Sequence, residues 1–261
     1  MKLHFLGCGG FHPSERRHTA CLMIPEAGIV FDAGTAAFRI PSRLQTDELT
    51  VFLTHAHLDH ILGLTYLLVP LLEGTLKQVR VFAVPAVIAA IREHLFSRPI
   101  FPVLPENLIF VDIEQFDSVV FDEGVTVTHF PLVSHPGGSR AYKIELNQGD
   151  ETHLLAYVTD TTVDGTYDEF IRDVPFLIHE CYFSDEEEEI AKGTGHSSTT
   201  MVAQLAARVN ARKLMLVHVD PRRIDDDPIG IAAAHGIFPE TTIADDLMCI
   251  DLTGPETLVK N

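Results

Sequence analysis

Four ligand-type side chains crowd one short stretch of the chain. In THAHLDH, residues 54–60, the side chains of His55, His57, Asp59 and His60 fall within six positions. Imidazole and carboxylate are the usual ligands of zinc and similar divalent cations. In an extended or turn segment, residues two apart point the same way, so His55 and His57 reach one point. Asp59 and His60 open the next helix and reach a second point nearby. A polar loop that holds four such residues by chance is the weaker reading. Two metal ions need further ligands. Three lone polar residues at the ends of apolar strands offer them: His135 in TVTHFPLVSH, Asp160 in LLAYVTD and His218 in KLMLVH. Ligand sites gather at such strand ends in α/β proteins. Any one of the three alone reads as structural; together, beside the 55–60 cluster, they read as ligands.

The elements that must position these residues follow from apolar patterning and turn residues. Strands are expected at 2–6, 21–24, 28–33, 49–54 and 79–84, then at 125–132, 141–146, 153–159, 176–181, 213–219 and 246–252. Helices are expected at 59–73, at 85–96 with Pro85 in the first turn, near 167–173 and at 199–209. SDEEEEIAKG predicts a further helix with Ser184 as N-cap, acids in its first turn and Gly193 as its stop. The acidic run there reads as a solvated helix start. No segment reads as a linker, so residues 1–261 are expected to form a single α/β domain in layers, two sheets face to face with helices outside.

Composition narrows the class. The 261 residues are 46% hydrophobic, enough to bury a core. No apolar run approaches membrane-spanning length, and MKLHFLGCGG reads as a first strand and not as a signal peptide. The four cysteines are scattered, which argues against a disulfide framework and a thiolate zinc site. A cytoplasmic protein with no membrane partner is the expectation. The formal net charge of −18 disfavours a general nucleic-acid binder. An anionic substrate must then be held locally, by bound metal ions or by arginines.

The pattern H-x-H-x-D-H, followed by a strand-end His, a strand-end Asp and a final strand-end His, resembles the metallo-β-lactamase fold superfamily. The resemblance extends to its ribonuclease Z-like phosphodiesterase branch. FLGCGGFHPSERRHTACLMI is similar to that branch's opening strand, loop and strand, and SRAYKIE to the segment after its third motif. LIHECYF resembles its His-Glu motif. GHSSTTMVAQLAARVNARKLMLVHVDPR resembles its His-Ser-Thr loop, helix and last ligand strand, and FPETTIADDLMCIDL its closing strand. The likeness spans nearly the whole chain. It implies a four-layer αββα sandwich of two mixed sheets with outer helices. It also implies two divalent metal ions, Zn2+ first with Mn2+ or Fe2+ as alternatives. His55, His57 and His135 would hold one ion, Asp59, His60 and His218 the other, and Asp160 would bridge both. His196, oriented by Glu180, would assist the leaving oxygen while a metal-activated hydroxide attacks phosphorus; Asp59, His196 and Glu180 are the candidate catalytic residues. The helix start at Ser197–Thr200 adds a phosphate-friendly N-terminus.

Ribonuclease Z itself carries a tRNA-gripping arm, usually inserted between the SRAYKIE-like segment and the strand before the bridging Asp. Here AYKIELNQGDETHLLAYVTD joins the two with a short turn. The expected substrate is therefore a small, cyclic or nucleotide phosphodiester, with nucleic acid disfavoured and a homodimer left open. The alternatives are a tRNA 3′-processing endonuclease, a thioester or lactone hydrolase, and a non-hydrolytic accessory protein binding metal and a small ligand. Arg16, Arg17, Arg222 and Arg223 are candidate anion contacts or plain surface charges. His4, His12, His18, His94, His129, His153, His179 and His235 read as structural or surface residues, His18 least firmly because its loop should border the site.

Overall fold

The computed structural model describes residues 1–101, 103–149, 151–252 and 258–260. The chain opens with β1 (Lys2–Gly7), β2 (Cys21–Ile24), β3 (Ile29–Phe31), β4 (Glu48–Phe52), β5 (Gln78–Ala83) and β6 (Leu108–Asp112). There follow β7 (Ser118–Val120), β8 (Val125–Leu132), β9 (Ser139–Gln148), β10 (Glu151–Val158), β11 (Phe176–Glu180), β12 (Lys213–Val217) and β13 (Thr241–Ile243). The last strands are β14 (Met248–Asp251) and β15 (Leu258–Lys260). They form two sheets, in the orders β15-β14-β1-β2-β3-β4-β5-β6 and β13-β12-β11-β10-β9-β8-β7. Both are mixed: β3 to β6 and β10 to β13 run parallel, and the remaining pairs antiparallel. The α/β class with two mixed sheets and helices is as expected.

Each sheet belongs to its own compact unit. In the first, Met23, Val30, Val51 and Val81 pack on one face against Leu64, Leu67, Leu68 and Ile91. Side chains alternate across a strand, so the other face carries Phe31, Phe52 and Phe82, whose rings stack in a row with centroids 5.5 and 5.1 Å apart. In the second unit, Ala156, Val158, Leu177, Leu214 and Leu216 pack with Val202, Leu205 and Ala206 of a helix and with Val209 just past its end. Among the described residues no helix is long and apolar enough to cross a membrane.

Several elements differ from expectation. The helix expected at 59–73 is three pieces: α1 (Leu58–Ile61), a 3-10 turn over Leu62–Leu67, and α2 (Leu68–Glu73). The neighbouring loop breaks it. The Ala33 N–H donates to the His60 carbonyl (2.7 Å), and the Gly63 N–H donates to the Ala33 carbonyl (2.7 Å). A Cβ on Gly63 would lie 2.2 Å from the Gly34 oxygen, so only glycine lets the two backbones approach. Helix α3 (Pro85–Ala90) ends in a π-helical turn at Ile91–Leu95.

Residues 167–173 form turns and no helix. Phe170 and Val174 bond back over three residues and Ile171 over four, but the Asp173 N–H, at φ +59°, leaves for the Val209 carbonyl. Helix α4 (Glu188–Thr194) passes through Gly193 and stops at Gly195, φ +77°. The acidic run is not merely solvated: Asp185 accepts from the Thr200 N–H (2.7 Å) and hydroxyl (2.6 Å), and Glu187 pairs with Arg223. Helix α5 (Thr199–Arg208) was expected, whereas α6 (Ile231–Ile237) and the short strands β6, β7 and β13 were not.

Candidate metal centre

The first unit presents the 55–60 cluster at the end of β4. His57 precedes α1, and Asp59 and His60 sit in its first turn. The His55 ring lies 4.5 Å from His57 and 4.3 Å from His60. Behind them is Asp32, fully buried just past β3. Its carboxylate accepts from the Thr54 N–H (2.8 Å), the Thr54 hydroxyl (3.0 Å) and His60 Nδ1 (2.9 Å). The Thr54 hydroxyl has one hydrogen, spent on Asp32, so Thr54 accepts from His55 Nδ1 (3.0 Å). Both imidazoles thus carry their proton on Nδ1 and present Nε2. His60 Nε2 lies 3.4 Å from an Asp59 oxygen. Such partners behind the ligands fix tautomer and ring orientation. Asp32, which holds a candidate ligand from behind, is absent from the residues singled out in the sequence. Its signal was the one that singled out Asp160: a lone acid ending the apolar run GIVFD.

The second unit presents His135, Asp160, His196 and His218. His135 lies in the β8–β9 connection and donates from Nδ1 to the Gly195 carbonyl (3.1 Å), so Nε2 carries the lone pair. A Cβ on Gly195 would lie 2.7 Å from the His135 Cα, so the turn that stops α4 also packs against this histidine. Asp160 faces two imidazoles, with Oδ2 3.7 Å from His135 Nε2 and Oδ1 3.4 Å from His218 Nε2. Asp160 and His218 end their strands in left-handed conformations, φ +51° and +57°, as Asp32 does at +59°. Such backbones are uncommon outside glycine and cluster at functional sites.

His196, between α4 and α5, stacks 5.5 Å from the His218 ring and 5.3 Å from Tyr182. Its Nδ1 donates to Glu180 Oε1 (2.9 Å). The fully buried Glu180 also accepts from the backbone N–H groups of Thr161 (2.9 Å), Tyr182 (3.3 Å) and Ser197 (3.3 Å).

The donor set fits divalent cations. His135 Nε2 carries a lone pair toward a carboxylate oxygen, an arrangement that repels unless a cation lies between. Tetrahedral ligands at about 2.0–2.1 Å from zinc are about 3.4 Å from one another, close to the 3.4 and 3.7 Å found here. One ligand atom each of Asp160, His196 and His218 lies within 4.8 Å of the others.

The other candidates are engaged elsewhere. Buried Arg17 pairs with Asp245 at 2.6 Å. Arg16 donates to the Asp225 carbonyl (3.2 Å). Arg222 grips Asp220 with Nε and Nη2 (2.9 and 2.6 Å), and Arg223 binds Glu187. His18 bonds Thr35 Oγ1 at 3.2 Å. The α5 start holds the Asp185 carboxylate where a phosphate was expected.

His179, behind the site, is buried and held neutral, its pKa lowered by burial. Nδ1 donates to the Glu180 carbonyl (2.7 Å), and Nε2 accepts from the Tyr167 hydroxyl (2.8 Å). In the unfolded chain it protonates near pH 6.5. Stability from its neutral burial is therefore complete above that pH and is lost as pH falls below it, by at most about 1.4 kcal/mol per pH unit. The melting temperature of His179→Gln should accordingly fall less steeply than wild type between pH 7.5 and 5.5. Parallel curves would remove His179 as a source of acid lability.

A family model of the beta-lactamase superfamily domain matches residues 28–219. The chain is 27% identical to a ribonuclease Z of Thermosynechococcus vestitus over 309 aligned positions, taking in 95% of this chain and 74% of that one. Since 95% of 261 residues is about 248, about 60 aligned positions of the relative have no counterpart here. Among solved structures, the metallo-β-lactamase fold protein YhfI of Bacillus subtilis superposes with a TM-score of 0.77 at 19% identity, covering 95% of this chain and 98% of that one. Human short-form tRNase Z superposes with a TM-score of 0.71 at 22% identity, covering 97% and 100%. The chain belongs to the beta-lactamase superfamily, as a ribonuclease Z-like hydrolase of the metallo-β-lactamase fold.

Proposed function

We propose that this hydrolase is a dinuclear metal phosphodiesterase acting on small, cyclic or nucleotide phosphodiesters. In this reading His55, His57 and His135 hold one ion, Asp59, His60 and His218 hold the other, and Asp160 serves both. The N/O donor set favours Zn2+, with Mn2+ or Fe2+ as alternatives. When bound, the ions supply Lewis acidity, charge neutralisation at phosphorus and an activated water. Asp32 and Thr54 hold His60 and His55 in the tautomers that present Nε2. His196 keeps one proton at Nδ1 against Glu180 and delivers a second from Nε2 to the departing oxygen.

The observation that carries the reading is the pairing of His196 with buried Glu180 at 2.9 Å, beside His135 and His218. An alkoxide is a poor leaving group that needs a positioned acid, whereas a thiolate is not. This favours a phosphodiester over a thioester.

A tRNA 3′-processing role is the second reading, supported by the curated relative's name. Two observations weigh against it. Gln148 of β9 is the register partner of Glu151 of β10, which leaves two residues between the strands where ribonuclease Z carries its arm. The chain also carries a net charge of −18, against the usual phosphate-neutralising surface.

Metal-replete protein should be assayed in parallel on bis(p-nitrophenyl) phosphate, a thioester, a lactone and a tRNA precursor at physiological salt. The phosphodiester should be turned over well and the precursor poorly. Accurate, efficient 3′ cleavage of the precursor would restore the ribonuclease assignment, and hydrolysis of only the thioester or lactone would remove the phosphodiesterase one.

A further inference from the structure

We propose that Phe11 is a stacking platform for a nucleobase of the substrate, beside the His218 ring of the candidate metal centre; this rests on the phosphodiesterase reading and names its substrate class as nucleotide. The loop Gly9–Arg16 is tied at both ends to the segment that carries His218. Gly9 bridges Val219, the Gly10 N–H donates to the Val219 carbonyl (3.1 Å), and Arg16 donates to the Asp225 carbonyl (3.2 Å).

Gly10 lies directly on the His218 ring, where a Cβ would be 2.5 Å from Cε1. The Phe11 Cα, one trans peptide further on, is therefore within about 8 Å of that ring. Phe11 is 68% exposed. It occupies the centre of a γ-turn closed by the His12 N–H on the Gly10 carbonyl (2.8 Å), with φ at +63°. Positive-φ γ-turns are rare and strained, and glycine would fill this one without strain. A large aromatic side chain presented to solvent on a strained turn, beside an imidazole of the candidate site, suits a ring ligand. The His12 ring, 5.2 Å away, widens the same surface.

Stacking on an aromatic side chain is tolerant of base identity, and its loss weakens binding about 5- to 150-fold. The test uses thymidine 5′- and 3′-(p-nitrophenyl phosphate) against methyl p-nitrophenyl phosphate, which share a leaving group and differ in carrying a nucleoside or a methyl group; the Phe11 variants then separate the base from the sugar. Wild type should favour at least one thymidine ester through KM. Phe11→Gly, which relaxes the turn, should lose that preference by raising KM about 5- to 150-fold, with the methyl ester and the melting temperature unaffected or improved; Phe11→Trp should retain it. The proposal is overturned if wild type cuts all three esters equally, if Phe11→Gly slows all of them alike, or if Phe11→Gly changes only the oligomeric state. Failure of wild type to cut any of the three, or bis(p-nitrophenyl) phosphate, would instead sink the phosphodiesterase reading itself.

Discussion

Replacing Asp160 by alanine is expected to remove both metal ions and all measurable turnover in one step. The carboxylate is buried, and its two oxygens face different imidazoles, His135 at 3.7 Å and His218 at 3.4 Å. The Thr159 hydroxyl steadies Oδ1 at 2.7 Å. Among the described residues, no other acid of the second unit joins the cluster of Asp160, His196 and His218. Without its charge, one ion would be left with imidazoles alone and the other with Asp59 as its single carboxylate, and hard ions lose a ligand they prefer. Metal analysis of wild type should approach about two equivalents, and Asp160→Ala should fall well below one. Alanine at φ +51° adds a backbone penalty of about 1–2 kcal/mol, so Asp160→Asn is the necessary companion. Asparagine tolerates that backbone and keeps the side chain's shape while removing the charge. It should fold like wild type and still bind metal poorly. Asp160→Asn retaining both ions tightly would end the bridging assignment.

How far the sequence reached such a site depended on which physics was local. Strands β2, β8 and β11 were legible because their burial is nearly continuous or alternates along a few residues. Asp160 and His218 were legible because a lone polar residue closing an apolar strand needs a reason. Asp32 obeys the same rule, yet a search for ligands passes over a carboxylate whose bonds go to Thr54 and His60.

Helical periodicity over 59–73 could not reveal the Ala33 backbone that opens the helix, nor could the spacing of Tyr167, Ile171 and Val174 reveal that Asp173 bonds Val209 instead. Those contacts join segments far apart in the chain. The same is true of Gly10 and His218, whose approach is set by the pairing of Gly9 with Val219. The acidic run after Ser184 looked like solvent-facing charge, because nothing within it indicates that Asp185 seats the start of α5.

In the proposed reading His196 serves proton transfer and not metal binding, and its replacement should separate the two. His196→Ala is expected to keep both ions, since the Gly195 carbonyl still holds His135 and the Thr159 hydroxyl still holds Asp160. Turnover should fall by about 10²–10⁴, the usual contribution of a positioned acid. The loss should be largest for a ribose alkoxide leaving group, which cannot depart unprotonated, and should shrink for p-nitrophenolate, which can. Glu180→Gln should show the same pattern more mildly. A glutamine retains the oxygen that accepts from His196 Nδ1 but not the charge that supports an imidazolium, and its amide meets the backbone N–H groups of Thr161, Tyr182 and Ser197 with one acceptor oxygen where the carboxylate has two. The distances leave a sharp alternative, because His196 offers a ligand atom within 4.8 Å of those of Asp160 and His218. If His196→Ala releases metal, His196 is a ligand. If it slows both leaving groups equally with metal intact, it contacts the ground-state phosphate. Only selective loss on the poor leaving group, with full metal content, assigns the proton to His196.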